Sequence, residues 1–176
     1  MIDRTEMIIG PETAGDHAAI RDVVRAAFGS SVEADLVDAL RDLPEFDPRL
    51  SLVAEFDGEI HGHLLFSLIR IETGKGGIAA LALAPLAVHP ESQRQGIGSE
   101  LTRAGLRVCE QLGHRIVIVV GHPTFYARFG LIPASRWGVR PPFPIPDDVF
   151  MVKWLGSEPP SDFAGVVRYP APFGEL

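Results

Sequence analysis

The chain is 176 residues long, 46% hydrophobic and 22% charged, with a net charge of −7, which gives it length and apolar content for one globular domain, residues 1–176, with a substantial core. That charge excludes a general nucleic-acid binder, which needs a basic face, and the single cysteine, Cys109, excludes an intramolecular disulfide and a thiolate metal cage. The longest apolar run, Ile78 to Val88, is shorter than the ~20 residues that cross a bilayer, and the segment Met-Ile-Asp-Arg-Thr-Glu has no apolar signal core, so a cytoplasmic protein without membrane contact is expected.

Met7 to Ile9 predicts a short strand stopped by Gly10-Pro11. Thr13 with Asp16 resembles a capping box, followed by Ile20, Val23, Val24, Ala27 and Phe28 at helical spacing. Ser30 with Glu33 predicts a second box, and Leu36, Leu40 and Leu43 mark the buried stripe of a helix stopping near Pro44. Leu52 to Phe56 reads as a strand, and Asp57-Gly58 as a two-residue hairpin turn into Glu59 to Ile71. On that second strand Ile60, Leu64, Phe66 and Leu68 share one face, and His61, His63 and Ser67 share the other with Leu65. The first is a core face; the second is polar enough to line a cleft or to be solvated.

Ile78 to Val88 reads as a strand buried on both faces, yet it contains Pro85. A proline cannot donate to a sheet ladder, so the strand should part from a neighbour there and leave backbone groups of Leu86, Ala87 and Val88 open to a ligand with amides of its own. Next comes Gln93-Arg94-Gln95-Gly96-Ile97-Gly98-Ser99. Two glycines one residue apart let consecutive N–H groups point into one concavity at a helix start, where the dipole and Arg94 favour a phosphate. The segment lacks the ending of a P-loop and the third glycine of a dinucleotide fingerprint, so a connection that binds nothing fits these residues as well.

Ile97, Leu101, Gly105, Val108 and Leu112 form the next helical stripe, with Cys109 as a small buried hydrophobe and Gly113 as terminator. Arg115 to Gly121 is a second buried strand, so strand, helix, strand make a right-handed parallel unit whose diverging ends are the general place for a ligand. Pro123 to Phe129 is a short helix carrying Tyr126, stopped by Gly130. A short strand from Leu131, a rigid segment from Pro141 to Pro146, a strand from Val149 to Leu155 and a tail over 156–176 that can add an edge strand at Val166-Val167 complete the chain.

Leu83-Ala84-Pro85-Leu86-Ala87-Val88-His89-Pro90 followed by Gln93xxGly96xGly98 resembles the acetyl-CoA loop of the GCN5-related N-acetyltransferases (GNAT), and Tyr126 with Gly130-Leu131 resembles that family's segment on the following helix. Gly62-His63-Leu64-Leu65-Phe66-Ser67, Gly121-His122-Pro123, Arg128-Phe129-Gly130 and the closing Gly165-Val166-Val167 with Tyr169 and Phe173 are similar to YhbS-type predicted acetyltransferases within it. The resemblance implies an α/β acyl-CoA N-acyltransferase fold: a mixed, mostly antiparallel sheet with a splayed parallel central strand pair and helices on both faces.

It further implies transfer of an acetyl group from acetyl-CoA, with no metal, to a small-molecule or peptide amine by direct attack in a ternary complex; a homodimer is left open. The diphosphate is assigned to the amides from Gln93 to Ser99 and the pantetheine arm to Leu86, Ala87 and Val88, with a backbone N–H near Leu86 or Ala87 polarising the acetyl carbonyl. Tyr126 is the group to protonate or stabilise the leaving thiolate, or else a packing residue with a bonded hydroxyl. His63 is chosen as base over Glu33, Glu72 and His122, of which Glu33 has a capping role and His122 a turn role. Arg128 is left between a cofactor phosphate and a surface carboxylate. The alternative function is an acyl-CoA-binding sensor or regulatory module with little catalysis, and the acceptor amine is not legible.

Overall fold

The computed structural model describes residues 3–159 and 163–175; residues 1–2, and 160–162 and 176 of the expected tail, lie outside the described residues. The chain divides into two compact units, one formed by residues up to Ser67 with Ala84–Val108 and the other by Leu68–Leu83 with Cys109–Glu175.

In the first unit, β1 (Ile8–Pro11) runs antiparallel to β2 (Ser51–Phe56), and β2 antiparallel to β3 (Glu59–Thr73). Asp57 and Gly58 join the latter two with φ of 52° and 76°, the left-handed pair that matches the twist of a tight hairpin. Helix α1 (His17–Phe28) follows the expected box, in which the Asp16 carboxylate accepts from the Thr13 N–H at 2.8 Å. Helix α2 (Val32–Arg41) differs from expectation: its N-cap is Ser31, and the Ser30 hydroxyl makes only long contacts, 3.3 Å to Glu33 and 3.4 Å to the Val32 N–H. Ile20, Val23 and Val24 of α1 and Leu36, Val37 and Leu40 of α2 are buried, the apolar stripes that hold short helices onto a core.

Strand β4 (Gly76–Val88) leads to α3 (Ile97–Gln111). A Cβ on Gly62 would stand 2.8 Å from Leu101 Cδ1 and 3.0 Å from Ile97 Cγ2, and one on Gly105 would stand 2.6 Å from Phe66 Cε2 and 2.7 Å from Leu64 Cδ2. Bare backbone on both sides thus lets α3 lie close on the Gly62, Leu64, Phe66 face of β3.

In the second unit β5 (Ile116–Val120) runs parallel to β4, with Leu81 opposite Val117 and Ala82 opposite Ile118. This register ends before Pro85, where the parting was expected, while β4 continues to Val88; the Ala84–Pro85 bond is cis. Helix α4 (Pro123–Tyr126) is one turn long and tightens into a 3₁₀ turn at Ala127–Phe129 before Gly130, shorter than the helix expected to run to Phe129. β6 (Ile132–Pro133) pairs with β8 (Phe150–Trp154), which runs antiparallel to β5. The tail adds a strand at the expected place, β9 (Gly165–Arg168), antiparallel to the end of β3, but it is not an edge: a two-residue strand unanticipated from sequence, β7 (Val139–Arg140), pairs with its other side and makes a second parallel pair. Ile71, Ile118, Phe150, Val152 and Val167 anchor this unit's core. The strand order is β1-β2-β3-β4-β5-β8-β6, with β9 against β3 and β7: a mixed sheet, mostly antiparallel, in an α/β fold.

Candidate active site

The glycine segment forms a cradle. Val88 ends β4, a 3₁₀ turn spans Pro90–Ser92, and the Gln93 side-chain amide donates to the Val88 carbonyl at 3.0 Å, tying the loop back to the strand end. Arg94 and Gly96 then take φ of 62° and 84°. Sequence reasoning gave the turn to Gly96 and Gly98; Arg94 instead supplies one of the two left-handed positions, and Gly98 lies in the first turn of α3. Helical bonding starts where the Gly96 carbonyl accepts from the Glu100 N–H at 3.0 Å, so the amides of Ile97 and Gly98 precede the first helical bond, in the turn that faces outward at a helix start. Left-handed positions ahead of a helix N-terminus make an anion-binding concavity, and the exposed Arg94 side chain adds a full positive charge. These residues fit a diphosphate. Beside them on β4, Ala87 is buried and Leu86 and Val88 are half-buried; the Ala87 carbonyl would lie 3.3 Å from a Cβ on Gly62.

His63 sits elsewhere than a cleft. Its face of β3 is covered, and its side chain is 0% exposed. Nε2 lies 2.9 Å from Ser51 Oγ, and the Ser51 hydroxyl donates to Glu12 Oε1 in a short bond. Arg41 Nε reaches Glu12 Oε2 at 3.0 Å, Arg41 Nη1 reaches Asp38 at 3.0 Å, and His17 Nε2 reaches Glu12 Oε2 at 2.8 Å. Since Ser51 has one hydrogen and gives it to a carboxylate, the imidazole donates from Nε2; Nδ1 is buried with no partner among the described residues. Burial, and then the positive charge of Arg41, push the His63 pKa down to about 3. A neutral, inaccessible imidazole suits a structural role better than that of a base that an amine can reach. Glu12, Ser51 and Arg41 were missed from sequence; they lie in the loop after β1, on β2 and on α2, and no local spacing links them to His63.

Tyr126 is 7% exposed, and burial pushes its phenol up to about 12. It lies against the bare backbone of Gly121, where a Cβ would come within 3.0 Å of Tyr126 Cδ2, and edge-on to Phe125 with ring centres 4.8 Å apart. The His122 carbonyl accepts from the Phe125 and Tyr126 N–H groups, the turn role expected of that residue. Arg128 lies over the Phe125 and Phe129 rings at 4.8 and 5.3 Å. Glu72 is ion-paired with Arg168 at 3.0 Å and Arg70 at 3.3 Å, which holds its carboxyl below the usual range. Burial raises the Cys109 thiol to about 12, the environment of an inert cysteine. Among the described residues no cluster of three or more His, Cys, Asp or Glu is arranged to hold a metal, and no helix is long and apolar enough to cross a membrane.

Residues 9–134 match the family model described as "Acetyltransferase (GNAT) domain". The uncharacterized N-acetyltransferase YjhQ of Escherichia coli K12 is 38% identical over 148 residues, 82% of each chain, and the uncharacterized N-acetyltransferase YhbS of the same organism is 31% identical over 93% of this chain and 96% of its own. The crystal structure of Escherichia coli YhbS in complex with CoA superimposes with a TM-score of 0.88 at 29% identity, covering 96% of this chain and 92% of that one. A GNAT family acetyltransferase from Brucella melitensis in complex with acetyl-CoA gives 0.77 at 34% identity, covering 95% and 97%.

Proposed function

The chain belongs to the GNAT acetyltransferase family, and from that premise we propose that it moves an acetyl group from acetyl-CoA to an amine by direct attack in a ternary complex. The observation that carries this is the pair of left-handed residues, Arg94 and Gly96, ahead of α3. The CoA and acetyl-CoA bound in the two similar crystal structures support the choice of coenzyme.

In this reading acetyl-CoA brings the activated acyl group, and this chain's residues do the rest. Amides from Gln93 to Ser99 and the Arg94 side chain hold the diphosphate, and backbone groups of Leu86, Ala87 and Val88 hold the pantetheine amides as an added strand would. An N–H at Leu86 or Ala87 is the fixed donor for the acetyl oxygen. Tyr126 holds a proton for the leaving sulfur, and a phenol raised to about 12 retains it at every working pH. His63 serves by position, holding Ser51. The acceptor amine then enters already neutral, so kcat/KM should climb with pH toward the amine's own pKa of about 10 instead of levelling near 6.5.

Release of CoA thiol from acetyl-CoA over a panel of polyamines, aminoglycosides, amino acids and peptide N-termini tests this. Tyr126→Phe should lower kcat by about 10²-fold or more with coenzyme affinity retained. The burial of His63 favours one second reading, a sensor that binds an acyl-CoA and catalyses little; tight binding with no turnover on any amine would establish it instead.

A further inference from the structure

His61 grips the root of the coenzyme loop from both ends. Its main-chain carbonyl accepts the His89 N–H at 2.8 Å, and its Nδ1 lies 2.8 Å from Ser92 Oγ. Between those contacts the turn closes on itself, the Ser92 N–H donating to the His89 carbonyl at 2.8 Å, and Ser92 is buried. Ser92 is the residue before Gln93, so every amide of the cradle hangs from the point that the imidazole holds.

The choice of residue type is itself informative. The ring packs edge-on to Phe56, with centres 6.0 Å apart, and its Nε2 is buried without a partner among the described residues. A ring needed only to fill this space would be better apolar, since burying an unpaired polar nitrogen carries a desolvation penalty. The contact from Nδ1 to Ser92 is what a phenylalanine could not make.

We propose that His61 is a positioning residue for the coenzyme: through Ser92 it fixes the Pro90–Ser92 turn, so that the amides from Gln93 to Ser99 stand preformed for the diphosphate before it arrives. This rests on the reading of that loop as the diphosphate site. Preorganisation of this kind acts on affinity, because an unanchored loop must be ordered at the moment of binding.

The test is calorimetric titration of the full chain with CoA and, separately, with pantetheine, which lacks the diphosphate, for wild type, His61→Phe, His61→Asn and Ser92→Ala, each with its melting temperature. Asparagine places a polar atom where Nδ1 stood and removes the ring; phenylalanine keeps the ring and removes the polar atom. His61→Phe and Ser92→Ala should weaken CoA about tenfold, His61→Asn less than about threefold, and pantetheine less than about twofold in every variant. Equal CoA affinity in His61→Phe and wild type, tighter binding by His61→Phe than by His61→Asn, or an equal loss for CoA and pantetheine would overturn the proposal while leaving the loop reading intact. A wild type that binds CoA no better than pantetheine would overturn the loop reading, and this proposal with it.

Discussion

On one face of β3, Gly62, Leu64 and Phe66 meet α3 with almost no space to spare; on the other, His63 lies under a row of polar groups running through Ser51 and Glu12 to Arg41. The first contact is made by leaving atoms out, with glycine on the strand and glycine on the helix. The second is made by matching donors to acceptors supplied from β2, β3, α2 and the loop after β1. An apolar seam of this kind resists added volume, because close-packed neighbours cannot give way. A polar row resists subtraction, because each lost partner strands a buried group.

The sharpest break of that comparison is Glu12→Ala. It leaves Arg41, whose side chain is 12% exposed, without its buried carboxylate, and a loss of about 3–5 kcal/mol is expected in urea unfolding. Glu12→Leu combined with Arg41→Met should cost less than that single change, since no charge is then stranded. Next in size is Gly105→Val, expected to lose roughly 1–3 kcal/mol despite the better helix propensity of valine over glycine. If Gly105→Val is neutral, the α3 seam is looser than its distances indicate.

The third effect concerns pH, and it accumulates gradually. The folded chain holds His63 near 3 while an unfolded chain protonates it near 6.5, so this group's contribution to stability is whole above pH 6.5 and is lost as pH falls toward 3. The loss is about 1.4 kcal/mol per pH unit inside that window. His63→Gln, which keeps an amide where Nε2 stood and does not titrate, should show a shallower acid slope by that amount in thermal unfolding at pH 4 to 7. An unchanged slope would mean that the imidazole gains access to water before global unfolding.

The same contrast explains what the sequence made legible. The Asp57-Gly58 turn, the loop at Gly96, the stripe of α3 and the proline that limits the β4–β5 register were readable because each demand is local: a φ value, a helical period, a missing N–H. The role of His63 was not. Its partners lie 12 positions away at Ser51 and, beyond that, a further 39 at Glu12, and the face that looked fit for a cleft is covered by groups whose relevance exists only in three dimensions. The helix cap at Ser31 and the two-residue β7 were missed for related reasons. Ser31 holds the N-cap place through its main-chain carbonyl, which accepts the Asp35 N–H, and makes no side-chain cap bond, so no hydroxyl pattern marks it; β7 is defined by pairing with β9 and carries no periodicity of its own.

The row from His63 to Glu12 has a direction. A lone serine hydrogen already committed to a carboxylate makes every bond along it point the same way, and it confines the imidazole to one of its two tautomers. Nitrogen resonances of that ring should therefore report one protonated and one bare atom without averaging, and they should merge once Ser51→Ala removes the hydroxyl that sets the order. In this molecule a single hydroxyl hydrogen thus decides where, on a ring it never touches through a covalent bond, the proton resides.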